Sequence, residues 1–135
     1  MLIHVIDAPR EFDFAGTAAA STSVVELGTF DLAGARNFAV AARIHSATIL
    51  TTGTIVVKAY PAWPWDGAPM IRYADGTAAA SVSFDVAYHA TGGAYKGDES
   101  LAEAPAVRLT VEGTQPSSAG GLKAMLTIGL MLFNS

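Results

Sequence analysis

The chain contains no cysteine. That excludes a disulfide framework, thiol nucleophiles and zinc–thiolate sites, and it leaves the fold indifferent to redox compartment. Charge is scarce as well: 15% of the residues are charged, against about 25% in ordinary soluble domains. The 8 Lys and Arg residues are scattered singly and the net charge is −4. A nucleic-acid groove needs clustered positive charge, so direct nucleic-acid binding is not expected. Long apolar runs are missing. The longest, Leu122–Phe133, is interrupted by Lys123 and is too short to cross a bilayer as a helix, so no membrane partner is expected. The opening MLIHVIDAPREF has no basic start and no long apolar core, so it does not read as a signal peptide. No segment sustains a 3.6-residue period. The best helical candidate is GDESLAEAPA, where Asp98 or Ser100 caps a single turn that Pro105 ends.

Chemical signatures are equally sparse. No serine sits in a G-x-S-x-G elbow, and neither a phosphate loop nor a dinucleotide fingerprint is present. His4, His45 and His89 fall one to a strand, without the short spacing of a metal site. Two acidic groupings, Asp7/Glu11/Asp13 and Asp98/Glu99/Glu103, lack the register of a calcium loop and read as solvated loops. A glycosidase carboxylate pair needs a cleft between its members, for which a chain of 135 residues has little room. The sequence therefore predicts no enzyme, no metal and no cofactor.

What the chain does have is alternation. Phe38, Val40, Ala42 and Ile44 share one face opposite Arg43 and His45; Ile55, Val57 and Ala59 oppose Thr54, Lys58 and Tyr60. Val82, Phe84, Val86 and Tyr88 oppose Ser81, Ser83 and Asp85, and Val107, Leu109 and Val111 oppose Arg108, Thr110 and Glu112. A period of two marks half-buried strands. Leu2–Ile6, Ser23–Phe30, Met70–Tyr73 and Leu122–Phe133 complete a set of about eight, separated by glycine turns that include Gly34, Asp66-Gly67 and Gly92-Gly93. The expected fold is a single all-β domain over residues 1–135, an antiparallel β-sandwich of jelly-roll type.

The string GTAAAS occurs at Gly16–Ser21 and again at Gly76–Ser81. Aligned on it, Val25 falls opposite Asp85 and Glu26 opposite Val86. A one-residue slip exchanges the two faces of a strand, so the repeat reads as the same lead-in to two strands, not as a duplicated half-domain.

Two stretches exceed what a monomer core needs. In LKAMLTIGLMLF the even-numbered residues from Leu122 to Leu132 form one apolar face, while Met125, Met131 and Phe133 make the other face apolar too. Either a loop or a second subunit covers that outer face. In AYPAWPWDGAPM, prolines stiffen a segment bearing Tyr60, Trp63 and Trp65. Its tryptophans either fold back over the core, dock to a protein, or stack on a sugar. The candidate interface or ligand residues are therefore Tyr60, Trp63, Trp65, Met125, Met131 and Phe133.

From residue 24 to 88 the order of events, with DLAGARN (Asp31–Asn37) leading into a long alternating strand and a later Trp65-Asp66-Gly67, resembles small β-sandwich proteins encoded among the virion structural genes of tailed bacteriophages and phage-like particles. The resemblance covers about half of the 135 residues and carries no catalytic residue. It implies a capsid, neck or tail component, assembled in the host cytoplasm, whose partners are copies of itself and other virion proteins. A carbohydrate-binding, lectin-like sandwich using Trp63 and Trp65 is the alternative.

Overall fold

The protein is described by a computed structural model covering residues 2–14, 21–32, 34–35, 37–49, 53–68, 82–86, 92–97, 105–115 and 121–133. Strand follows strand: β1 (Leu2–Asp13), β2 (Thr22–Asp31), β3 (Asn37–Ile49), β4 (Thr54–Ala62), β5 (Val82–Asp85), β6 (Gly92–Gly97), β7 (Ala106–Thr114) and β8 (Leu122–Phe133). There is no α-helix among the described residues. Three long strands make the body of each of two sheets, β1-β8-β3 and β2-β7-β4, and the short β6 and β5 extend one edge of each. Every described strand pair is antiparallel. Along the sequence the chain changes sheet at nearly every connection; only β4 and β5 are consecutive and paired.

The alternating residues explain where the core lies. On β8, Leu122, Ala124, Leu126, Ile128, Leu130 and Leu132 are all buried, since β8 is flanked by β1 and β3. They join Phe12, Phe38, Val40, Ala42 and Ile44 of their own sheet, and Ile55, Val57, Ala59, Val107, Leu109 and Val111 of the other, in one hydrophobic cluster. Fully burying the valine, leucine, isoleucine and phenylalanine side chains among them is worth roughly 1.5–3 kcal/mol each. The DLAGARN phrase contributes a plug between β2 and β3. Leu32 and Ala35 are buried, the Leu32 N–H donates to the Pro105 carbonyl (3.1 Å), and the Ala35 N–H donates to the Leu32 carbonyl (2.9 Å).

A second corner ties the sheets where β1 ends. The Phe14 N–H donates to the Leu122 carbonyl (2.7 Å), while the buried Gln115 side chain donates to the Phe14 carbonyl (3.0 Å). The Gln115 N–H reaches the Ser21 carbonyl (3.0 Å). The Phe14 ring lies directly over Gly113 of β7, where a Cβ would meet it at 2.2–2.5 Å. Only glycine lets the ring approach this closely.

Several expectations change. β1 runs on to Asp13 instead of stopping at Ile6, so Asp7, Glu11 and Asp13 lie on a strand and not in an acidic loop. The ladder to β8 continues through two register shifts, between Val5 and Asp7 and between Asp7 and Arg10. Pro9 falls within the second of these, on an edge strand, where a missing N–H is tolerated. Gly92-Gly93 is not a turn: it opens β6 and pairs with Ile44 and Arg43 of β3. The proposed strand at Met70–Tyr73, the helical turn with Asp98, Ser100 and its acidic neighbours Glu99 and Glu103, His89 and Tyr88 lie outside the described residues. So do both GTAAAS strings apart from Ser21, although β2 and β5 do begin directly after them.

Candidate functional site

The outer surface of β2-β7-β4 carries most of the polar chemistry. In-register neighbours across the three strands are Glu26–Thr110–Lys58 and Thr29–Arg108–Tyr60. Because β7 is central, its polar side chains are bracketed from both sides. Arg108 forms a two-pronged ion pair with Glu26, with Nε donating to Oε2 at 2.8 Å and an Nη2 contact to Oε1. Its guanidinium also lies 5.8 Å from the centre of the Tyr60 ring. Glu112 accepts from the Tyr60 hydroxyl (2.7 Å), Lys58 Nζ (3.2 Å) and the Thr110 hydroxyl (3.0 Å). Thr110 sits so deep under these longer side chains that it is only 1% exposed, although it belongs to the polar face.

The electrostatics follow from the contacts. The hydrogen bond from Arg108, aided by its charge, holds the Glu26 carboxyl below its ordinary value, and the same bond raises Arg108. Burial pushes Glu112 upward, but donation from Tyr60, Lys58 and Thr110 outweighs it and the net shift is downward. Burial, and then the hydrogen bond to the Glu112 carboxylate, push the Tyr60 phenol up to about 12. A tyrosine nucleophile needs the opposite shift. At neutral pH this lattice holds a neutral phenol between ionised partners, and its chemistry is that of a satisfied hydrogen-bond network.

At the end of β4 the chain leaves the sheet through a closed turn. The Trp63 N–H donates to the Ala68 carbonyl (3.0 Å) and the Gly67 N–H returns to the Trp63 carbonyl (2.9 Å). The Ala68 N–H donates to Asp66 Oδ1 (2.9 Å). Gly67 has φ +71°, and a Cβ there would come within 2.6 Å of Thr29 Oγ1, so both conformation and space demand glycine. The Gly67 contact seats the turn beside Thr29, which is paired with Arg108. Trp63 and Trp65 stack on each other with centroids 4.9 Å apart and planes at 22°. They do not fold back over the core: Trp63 is 39% and Trp65 73% exposed.

The six candidate residues therefore divide. Tyr60, Trp63 and Trp65 belong to the second sheet and its turn. Met125, Met131 and Phe133 belong to the outer face of β8 in the first, where all three are half-buried. There the register sets Met131 beside Ala39 and Gly129 beside Ala41, and His45 Nε2 lies 2.8 Å from the Thr127 hydroxyl. Of the residues in the polar lattice, only Tyr60 was a sequence candidate. Lys58, Arg108, Thr110 and Glu112 were visible as polar faces, but their convergence with Glu26 depends on β7 lying between β2 and β4. Among the described residues no group of three or more His, Asp or Glu side chains is placed to hold a metal ion. Compared with models of known protein families and with curated protein sequences, the chain matches none.

Proposed function

We propose that the chain is a jelly-roll subunit of a phage or phage-like particle, a capsid, neck or tail component that acts by packing against copies of itself and other virion proteins. The observation that carries this reading is the strand order, β1-β8-β3-β6 beside β2-β7-β4-β5. That is the order produced when paired Greek keys roll into two sheets, an architecture used by viral shell proteins and by lectin domains. The single apolar cluster drawn from both sheets supports a face-to-face sandwich. The likeness of Asp31–Asn37 and its surroundings to phage structural proteins favours the shell over the lectin. A subunit of this kind needs no catalytic group and no cofactor, and it resides in the virion.

The proposed contact surface is the outer face of β8. Met131 and Phe133 offer half-buried apolar area, and Ala41 and Gly129, paired with each other beside them, keep the surface between low. Light scattering and electron microscopy of the purified chain test the reading. A closed, symmetric oligomer or a particle is expected, and Met131→Asp reduces it to monomers without lowering the monomer's melting temperature by more than a few degrees. A wild-type chain that stays monomeric at every concentration and is absent from purified particles would falsify the proposal.

A further inference from the structure

Trp63 and Trp65 are the 2 tryptophans of the chain, and both are displayed to solvent on a turn closed by three hydrogen bonds. Exposing aromatic area costs hydration free energy, and Trp65 leaves most of its surface in water. The ring stacks on Trp63, and its backbone belongs to a turn tied by Asp66 and shaped by Gly67. A rigid, exposed plate that a ligand need not reorganise is what binding rewards. We propose that the free face of Trp65 is a platform for the pyranose ring of a neutral saccharide. This inference stands on the turn alone and holds whether or not the chain assembles.

The surroundings select the ligand class. Single-stranded nucleic acid also stacks on aromatic rings, but within a positively charged groove; the chain is net −4 and the turn itself presents Asp66, which is exposed. A proline-rich peptide docks into grooves lined by aromatic side chains, and here the two rings close on one another at 4.9 Å, leaving no slot between them. A pyranose with equatorial substituents has a flat face of axial C–H bonds and a rim of hydroxyls. It matches an aromatic plate with hydrogen-bonding groups at its border. Asp66 uses one carboxylate oxygen to fix the turn, and its other oxygen accepts from a sugar hydroxyl as a charge-assisted bond. Thr29, against which Gly67 rests, is exposed at the same border.

The test exploits the tryptophan count, because all indole emission of the chain arises from this turn. The intact chain is titrated with cello-oligosaccharides and with chito-oligosaccharides, whose ring substituents are equatorial, and followed by fluorescence and by titration calorimetry. A saturable change in emission with matching heat is expected from at least one series. Trp65→Ala weakens it by roughly tenfold or more, the loss of one well-stacked aromatic contact. Trp65→Phe, which keeps a smaller plate, weakens it less. Asp66→Asn keeps the acceptor for Ala68 and removes the charge, and binding falls severalfold while the thermal midpoint stays put. Absence of emission change and heat in both series overturns the proposal, as does binding that Trp65→Ala leaves intact. Emission that shifts with protein concentration alone also overturns it, because the rings are then covered by a second copy of the chain.

Discussion

The outer faces of the two sheets are built from the same alternating pattern and finish differently. On β2-β7-β4 the face closes on itself: Glu26 with Arg108, and Glu112 with Tyr60, Lys58 and Thr110. Every long side chain there lies over its neighbour, which is why Thr110 has lost its water. On β1-β8-β3 a polar contact at mid-strand joins His45 Nε2 to the Thr127 hydroxyl. Charge collects toward one end, at Glu11, Asp13 and Lys123, which the register sets together with Met125. The rest combines Met131, Phe133, Ala39, Ala41 and Gly129 with Arg43, His45 and Thr127. The comparison teaches that the same alternation can close a face with side-chain hydrogen bonds and ion pairs, or leave it to half-buried methionine and phenylalanine side chains.

The largest effect expected is one that breaks both faces together. Gly113→Ala drives a methyl into the Phe14 ring, and the backbone at this corner has little freedom to retreat because Phe14 is pinned to Leu122 and Gln115. Overpacking of this kind costs about 3 kcal/mol, and denaturant unfolding should record it as a lower midpoint with an unchanged slope. A loss below about 0.5 kcal/mol, the scale of a neutral surface change, would mean that the ring is not anchored. Next in size is Glu112→Ala, which strips three donors of their acceptor on the polar face only. About 2 kcal/mol is expected, again by denaturant unfolding, with the outer face of β8 unaffected.

Much of the core was legible, although the buried Phe12, Phe14 and Leu32 were not read as part of it. Every inward position read from Phe38–Ile44, Ile55–Ala59, Val107–Val111 and Leu122–Leu132 is buried, because a period of two specifies a face without reference to any neighbour. The lattice was not legible, because it depends on which strands lie side by side, and antiparallel neighbours such as Glu26 and Arg108 are far apart in sequence. The length of β1 was hidden by Pro9 and its charges, which resemble a loop until an edge position accommodates them. The tryptophans were conspicuous, yet their stacking follows from a turn geometry that composition does not encode.

A third effect separates the two faces by pH. Glu26 and Glu112 have folded pKa values below the ordinary 4.5. Their contribution is present above 4.5 and is lost as the pH falls through the depressed values. Tyr60 is shifted the other way, from 10.0 to about 12, so its contribution is full below pH 10 and lost as the pH rises through about 12. Unfolding measured across both windows should show a fall at each end. Glu112→Gln should flatten both limbs, and the phenolate absorbance of the wild type should include a late component from Tyr60. A stability curve unchanged by Glu112→Gln would dismiss the lattice as a stabilising element. The smallest effect belongs to Trp65→Ala. A residue 73% exposed should change stability by no more than about 0.5 kcal/mol, and a larger drop in thermal midpoint would mean that the stack supports the fold.

The register shifts carry a consequence for how the chain behaves in crowded solution. Among the described residues β1 and β2 are the long edges of their sheets, and a long edge left open is a template on which identical chains can grow into fibres. β1 keeps regular register only from Leu2 to Val5 and from Arg10 to Asp13, and β2 is broken between Glu26 and Gly28. A strand arriving at either edge finds a few aligned donors and acceptors and then a mismatch, so growth stops after a short segment. The remaining edges, β5 and β6, run for only 4 and 6 residues. Fibre formation is thereby discouraged at the level of the backbone, whatever the side chains do, and high concentrations of the chain become compatible with ordered association through faces.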